Sequence, residues 1–354
     1  MNERKLGVGV IGCGNIAQPY MQTLTTYPQI QVIGVADKEH SRAKELAAKY
    51  NVKTYRSPKA LLADPAIELV VNLTIHHAHK KVITQCLEAG KHVHSEKPLA
   101  LKHKDAQALV ELAKQKNLRL GCSPFTFLGE AQQTAWKLVR EGKLGTVRVA
   151  YAEANWGRIE SWHPNPAPFY DVGALFDVGV YPLTLLTAMF GPAKRVTACG
   201  RVLHPDRVTK DGAPFHIETP DFMVTMVELA NGPLVRLTTN FYVRGRQTGL
   251  ELHGDIGSLH LDWHLFQGPV EYADFGKPFQ PVPLLREPFQ GTEWGRAVQD
   301  MALAIAEDRP HRATGEQAAH VVEICSAAHQ SAKRNRPVEI TSTFTPPAPM
   351  DWAK

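Results

Sequence analysis

The sequence has no strong excess of charge of either sign. Its 40 Lys and Arg stand against 35 Asp and Glu, a net +5 scattered along 354 residues with no long basic run. Such a chain offers a polyanion little to grip, so no nucleic-acid partner is expected. Long hydrophobic runs are also missing. No segment reaches the roughly 18 apolar residues of a membrane span, and no membrane partner is expected. The opening "MNERKLGVGVIGCG" has only a short apolar run before its glycines, so no export signal is expected either. Cysteine is sparse: Cys13, Cys86, Cys122, Cys199 and Cys325 are odd in number, far apart and never in a CxxC pair. That spacing argues against a disulfide scaffold and for free thiols in a reducing cytoplasm.

What is present is an ordinary globular composition, 44% hydrophobic and 21% charged, in a chain longer than one core usually organises. Two domains are therefore expected. In the first third, β-branched runs ("LGVGVI", "VIGVA", "VKTY", "LVVNL", "HVHS", "LRLGC") alternate with helix-period stripes. Ala43, Leu46, Ala47 and Tyr50 form one stripe, and Ala106, Leu109, Val110 and Ala113 another; Val82, Ile83, Cys86 and Leu87 form a third, closed by Gly90. Strand and helix in alternation predict a doubly wound parallel sheet over 1–124.

The rest is strand-rich. "DFMVTMVELA", Asn231-Gly232 and "LVRLTTNFYV" read as a hairpin, and "TGLELHG" and "GSLHLDWHL" flank a second turn near Asp255 to Gly257. This predicts an α+β domain with an open, mainly antiparallel sheet over 125–341, followed by a Pro-rich tail, 342–354.

The cofactor signal lies in "VIGCGNIA". Gly12, Gly14 and Ala17 form G-x-G-x-x-A directly after the first strand: a tight turn, a close backbone approach to a pyrophosphate, and close helix packing. Asn15 and Ile16 complete the loop. The second strand ends at Asp37, 20 residues beyond Ala17, where a carboxylate can accept from an adenosine ribose. A carboxylate there repels a 2'-phosphate, so NAD(H) is favoured over NADP(H), although Lys38 and Arg42 stand nearby.

"GVIGCGNIA", "HVHSEKPLA" and "GALFDVGVYPL", in that order and at those separations, resemble the Gfo/Idh/MocA family of glucose-fructose oxidoreductase and inositol dehydrogenase. The resemblance covers nearly the whole chain, including "HHAHKKVITQCLEAGKHVHSEKPLA". It implies a Rossmann domain, a second domain for substrate and oligomerisation, nicotinamide held where the two meet, and hydride transfer on a sugar, cyclitol or related polyol. Thr74, His79, Glu96 and Lys97 would then stand near the cofactor, with the bond before Pro98 often cis.

Lys97 follows a strand end, where open α/β sheets bind ligands. Burial and an oxidised nicotinamide would lower its pKa towards a general acid/base, while Glu96 would oppose that. Asp177 and Tyr181, four apart, should share a helix face, with Asp177 near the helix start. Many relatives carry His where Tyr181 stands; a phenol's reference pKa is near 10, so Lys97 would have to assist it. The expected relay has Tyr181 at the reacting oxygen, Lys97 moving the proton, and Asp177 orienting a neighbouring hydroxyl.

Relatives usually have three glycines before this motif, whereas "YDVGALFD" keeps only Gly173 and puts Asp171 among the substrate candidates. Arg158, Trp162 and His163, in the Pro-rich loop "NWGRIESWHPNPAPFY", are the others; Trp162 offers a flat face for a sugar or for the core. His76, His77, His79, His92 and His94 lack Cys or carboxylate partners at ligand spacing, so no metal is expected. The open sheet and the family point to a homodimer or homotetramer. Two other readings stay open: transient oxidation in the service of glycoside cleavage or elimination, and a non-catalytic NAD/sugar-binding regulator.

Overall fold

The computed structural model describes residues 5–243 and 249–354. Thr248, the first residue of the expected "TGLELHG" strand, and the first four residues lie outside that range. The chain divides into two compact units, Met1–Phe125 with Glu293–Ala319, and Thr126–Thr292 with His320–Lys354.

The first unit is built on six strands: β1 (Leu6–Ile11), β2 (Ile30–Ala36), β3 (Lys53–Thr54), β4 (Leu69–Asn72), β5 (His92–Ser95) and β6 (Leu120–Cys122). They pair in parallel in the order β3-β2-β1-β4-β5-β6, so the winding direction reverses between β1 and β4. β4 is buried throughout and β1 is buried beyond Leu6, as a sheet covered on both faces requires. The covering helices are α1 (Ala17–Leu24), α2 (His40–Tyr50), α3 (Pro58–Leu62), α4 (His79–Glu88) and α5 (His103–Gln115). Their buried residues include the expected stripes, Ala43, Leu46 and Ala47 on α2, Val82, Ile83, Cys86 and Leu87 on α4, and Ala106, Leu109, Val110 and Ala113 on α5. Tyr50 is only half-buried.

A late segment returns to this unit. Gly295 N–H donates to Thr23 Oγ1 at 2.8 Å, Tyr27 OH donates to Glu293 at 2.8 Å, and Gly121 bridges Thr314. The sequence division at 124/125 had assigned Glu293–Ala319 to the second domain; these contacts, far apart in sequence, put it with the first unit.

The second unit holds α6 (Glu130–Arg140), β7 (Val147–Asn155), α7 (Ala167–Ala174), α8 (Val180–Phe190) and strands β8 (Ala193–Arg201) through β17 (Val338–Glu339). Between these last two come β9 (Asp206–Val208), β10 (Pro214–His216), β11 (Phe222–Leu229), β12 (Leu234–Asn240), β13 (Gly249–Gly254), β14 (Gly257–Leu261), β15 (Val270–Asp274) and β16 (Gln280–Pro281). Nine strands form one sheet, β16-β15-β14-β13-β7-β12-β11-β8-β17, antiparallel at every pairing except β12 with β7. The Asn231-Gly232 turn joins β11 to β12 as expected.

Along β11 burial alternates, Met223, Thr225, Val227 and Leu229 facing in, which marks a sheet covered on one face. A Cβ on Gly179, just before α8, would meet Thr239 and Leu237 of β12 at 2.9 and 3.6 Å, so this helix start lies directly on the inner face. Contrary to the sequence expectation, the run 167–190 is long and apolar enough to pass for a membrane span; 83% of its most apolar window is buried inside the protein, and Gly173 interrupts its helix at φ +77°. The terminal segment 342–354 is a packed strap. Gln133 accepts from Met350 N–H at 2.9 Å, and the Arg286 guanidinium lies 4.0 Å over the Trp352 ring.

Candidate active site

Strand register builds the first half of the site. Ile11 is level with Ala36 and Asn72, Asn72 with Ser95, and Ser95 with Cys122, so five strands finish together. The residues that follow, Gly12, Asp37, Leu73, Glu96 and Ser123, therefore lie along one edge. Backbone bonds extend the ladder past the strand ends, from Gly12 N–H to Ala36 O at 2.9 Å, Leu73 N–H to Ile11 O at 2.8 Å, and Glu96 N–H to Asn72 O at 2.8 Å.

At this edge the two motif glycines do different work. Gly12 has φ +101°, and a Cβ there would come within 2.6 Å of the Leu73 backbone; no other residue fits without displacement. A Cβ on Gly14 would meet nothing within 4 Å, which leaves room for a ligand to approach the backbone. Asn15 is exposed, Ile16 enters α1 in helical conformation, and Ala17 is fully buried. No side chain caps α1, and its first turn has no acidic residue, so its first N–H groups suit a phosphate.

Asp37 is 8% exposed and accepts through both oxygens, from Cys13 N–H and Glu39 N–H, each at 2.7 Å. It thus pins the glycine loop to the end of β2 and keeps further lone pairs for a diol. Burial, and secondarily the Asp37 charge, push the Cys13 thiol up to about 12. These residues fit a dinucleotide: a phosphate cradle, an open glycine, and a carboxylate at the ribose position.

The Lys97 turn is held from beneath. Glu96 accepts from Tyr20 OH of α1 at 2.6 Å and from Lys97 N–H at 3.1 Å, and Tyr20 OH lies 2.9 Å from Ser123 Oγ. The Lys97-Pro98 bond is cis. His79 is 1% exposed, with Nδ1 2.7 Å from Pro98 O and Nε2 2.9 Å from Thr74 O. Burial lowers its pKa against the pull of the two carbonyls. A neutral His79 donates its single ring N–H to one of these two carbonyls, and Glu96 holds Lys97 N–H, so both tie down the backbone around Lys97. Thr74 Oγ1 donates to Asn72 at 2.7 Å, and Asn72 Nδ2 donates to Ser95 Oγ at 3.0 Å. Tyr20, Asn72, Ser95 and Ser123 escaped the sequence reading because a helix stripe or strand end accounts for each as plain core.

In the second unit, Gly173 restarts the helix, and Leu175–Gly179 forms one π-turn with Asp177 at its centre. π-turns are rare and often mark functional sites. Tyr181, the second residue of α8, is 8% exposed, its ring 5.5 Å from Trp263 and 5.2 Å from His264. Trp156 stands edge-on to His264 at 6.3 Å, so aromatic surface continues outward from Tyr181.

Of the loop candidates, Trp162 is 48% exposed and meets His163 and Phe169 edge-on, which removes the core reading of its face. His163 Nδ1 accepts from Asn165 N–H at 3.1 Å. Exposed Arg158 lies 4.7 Å over the Tyr242 ring, and the Asp171 carbonyl accepts from Thr219 at 2.9 Å, leaving the Asp171 side chain at the surface. The five histidines of the sequence analysis scatter over a turn, a helix and a strand. No group of three potential ligands could hold a metal ion among the described residues.

A parallel sheet carrying this phosphate cradle, a strand-end carboxylate and a lysine turn, in one chain with a mixed open sheet, defines an NAD-binding oxidoreductase class. The chain belongs to the GFO/IDH/MocA oxidoreductase family: residues 6–123 match its NAD-binding Rossmann fold and residues 132–260 its C-terminal domain. It is 32% identical over 199 residues to the trans-1,2-dihydrobenzene-1,2-diol dehydrogenase of Macaca fascicularis and 31% over 200 residues to that of Mus musculus. Those matches cover 54% and 55% of this chain and 59% and 60% of the relatives, so it spans well under two thirds of their length. Among solved structures, apo levoglucosan dehydrogenase superimposes at TM-score 0.85 with 22% identity, covering 96% of this chain and all of the other. Aldose-aldose oxidoreductase from Caulobacter crescentus, complexed with glycerol, gives TM-score 0.81 at 20% identity over 95% of this chain and all of the other. At these identities the likeness is one of fold.

Proposed function

We propose that the chain is an NAD(H)-dependent dehydrogenase or reductase acting on a CH–OH carbon of a small sugar, cyclitol or related polyol. The observation that carries this reading is the common strand-end edge of Gly12, Gly14, Asp37 and Lys97, which joins a dinucleotide cradle to a proton-transfer group. Two kinds of relative support the substrate class by name, a dihydrodiol dehydrogenase and a levoglucosan dehydrogenase, the latter also solved with NADH and L-sorbose.

When bound, the nicotinamide supplies the hydride acceptor or donor. The chain's own work is proton transfer and orientation. Lys97, on a turn fixed by Glu96 and His79, takes or returns the proton of the reacting hydroxyl; Tyr181 hydrogen-bonds that oxygen, and Asp177 accepts from a neighbouring hydroxyl. Arg158, Trp162, His163 and Asp171 supply further contacts to the ring and its hydroxyls. Asp37 supports NAD(H) over NADP(H), because its carboxylate is fixed by two backbone N–H groups and would face a 2'-phosphate with like charge.

A homodimer or homotetramer belongs to the same proposal, supported by the half-exposed outer face of the nine-stranded sheet; a monomeric mass in light scattering would remove it. So does a cytoplasmic setting, which suits five free cysteines.

The test is the near-ultraviolet absorbance of reduced nicotinamide when the protein, with NAD and separately with NADP, meets aldoses, inositols, anhydrosugars and cyclic diols. A substrate-dependent rise with NAD is expected. No rise with either cofactor across the panel would overturn the reading, and cleaved or dehydrated products in the same mixtures would replace it with transient-oxidation chemistry.

A further inference from the structure

Strands β9 and β10 form a two-stranded ribbon outside the large sheet. Three residues a side cannot hold such a ribbon in place unaided. What holds this one is Arg207, whose side chain is 0% exposed. Its Nη1 donates to Glu160 Oε1 at 2.7 Å and to Tyr170 OH at 2.8 Å, its Nη2 to Asp221 at 2.5 Å, and its Nε to His204 O at 3.0 Å. The guanidinium also lies 4.3 Å over the Tyr170 ring. Tyr170 OH in turn donates to Glu160 and accepts from Ile159 N–H at 3.2 Å, while the second oxygen of Asp221 accepts from Leu203 N–H at 2.6 Å.

Two carboxylates around one guanidinium, with almost no exposure to water, make an expensive way to pack a protein. Apolar side chains of the same volume would hold the ribbon at lower cost. What they would lack is direction, because the planar fork fixes the orientation of its partners as well as their proximity. Those partners lie among the substrate candidates. Glu160 stands between Arg158 and Trp162, and Tyr170 immediately precedes Asp171. The Trp162 and Arg158 side chains are themselves exposed, so the core does not set their placement.

We propose that Arg207, acting through Glu160, Tyr170 and Asp221, is a positioning residue that fixes segment 158–171 and so determines which polyol the protein accepts. The inference rests on the proposed function, in which this segment meets substrate. Arg207 is too deeply buried to touch the ligand itself. Loosening it lets Arg158, Trp162, His163 and Asp171 drift, which weakens substrate binding and blurs discrimination between hydroxyl patterns, while the dinucleotide residues of the first unit are untouched.

Three variants test this on the full-length protein: Arg207→Lys, which keeps the charge and loses the fork; Tyr170→Phe, which removes one hydroxyl; and Lys210→Ala at the exposed ribbon tip as control. For the best polyol of the native protein, Arg207→Lys and Tyr170→Phe should raise KM about tenfold with kcat little changed. The ratio of kcat/KM between the best and second-best polyols should fall, NADH binding should hold, and the control should behave as native. If both variants lower Tm but leave KM and the substrate ranking as in the native protein, the cluster is a structural staple and the inference falls. If the native protein neither turns over nor binds any polyol of the panel, the proposed function itself falls.

Discussion

The two units present their candidate groups in opposite ways. In the first, five strands end in register, and topology alone sets Gly12, Asp37, Glu96 and their neighbours in a row. In the second, Arg158, Trp162, His163 and Asp171 ride on a loop and a short helix whose anchor, Arg207, lies dozens of residues away. A site made of strand ends depends on backbone, whereas a site made of loops depends on which distant side chains hold the loops. The first kind tolerates little change in its glycines; the second should be sensitive at residues that never meet the ligand.

The largest effect should come from Lys97, the group proposed to move the proton. Lys97→Ala should lower kcat by about 10²–10⁴-fold while fluorescence titration finds NADH binding intact, because the cradle is made by Gly12, Gly14 and Asp37. An active variant would remove Lys97 from the relay. The counterpart in the second unit is Arg207→Met, which strands Glu160 and Asp221 without their cation. Breaking a buried pair in this way costs about 3–5 kcal/mol, to be read as a lower urea midpoint. A loss below about 1 kcal/mol, the scale of an exposed pair, would show that the cluster does not hold the loop and would erase the contrast between the units.

That contrast also explains what the sequence could say. The alternating strands and stripes, the glycine fingerprint and the Asn231-Gly232 hairpin were legible because each is encoded within a few adjacent residues, and Asp37 because it closes the second strand at a fixed spacing from the fingerprint. The return of Glu293–Ala319 to the first unit was not, since Tyr27 with Glu293 and Thr23 with Gly295 are pairings across more than 260 positions that leave no local pattern. Arg207 was invisible for a related reason. Only the fold brings Glu160, Tyr170 and Asp221, which lie 14 to 47 positions away in the chain, around its guanidinium. His79 was found through its resemblance to a family position, but its work through Thr74 O and Pro98 O became visible only in three dimensions.

A smaller effect separates the two motif glycines and sharpens the claim that the first site is made of backbone. Gly12→Ala forces a left-handed φ on a residue with a Cβ and pushes it into Leu73, costing at least about 1–3 kcal/mol together with cofactor affinity. Gly14→Ala meets open space, so Tm should stay while NADH binding weakens. If Gly14→Ala lowered Tm as much as Gly12→Ala, the space beside Gly14 would be structural and not reserved for a ligand.

Acid should divide the units last and most gently. Burial pulls His94 down to about 3 and His311 to about 4, and lowers His79 and His92 as well, all in the first unit; in the second, burial lowers His329. A histidine whose folded pKa is depressed stays neutral in the native state while the unfolded chain takes up a proton near pH 6.5, so stability is full above that value and falls as pH drops towards the folded pKa. Between pH 7 and 5 each of His94 and His311 should cost about 1–2 kcal/mol, read as a falling urea midpoint. His94→Gln starts less stable, because it disturbs a packed site, yet it should lose less between the two pH values, since one titrating group is gone. An unchanged pH loss in that variant would mean that the acid sensitivity lies elsewhere and that the buried imidazoles do not make the first unit the weaker one in acid.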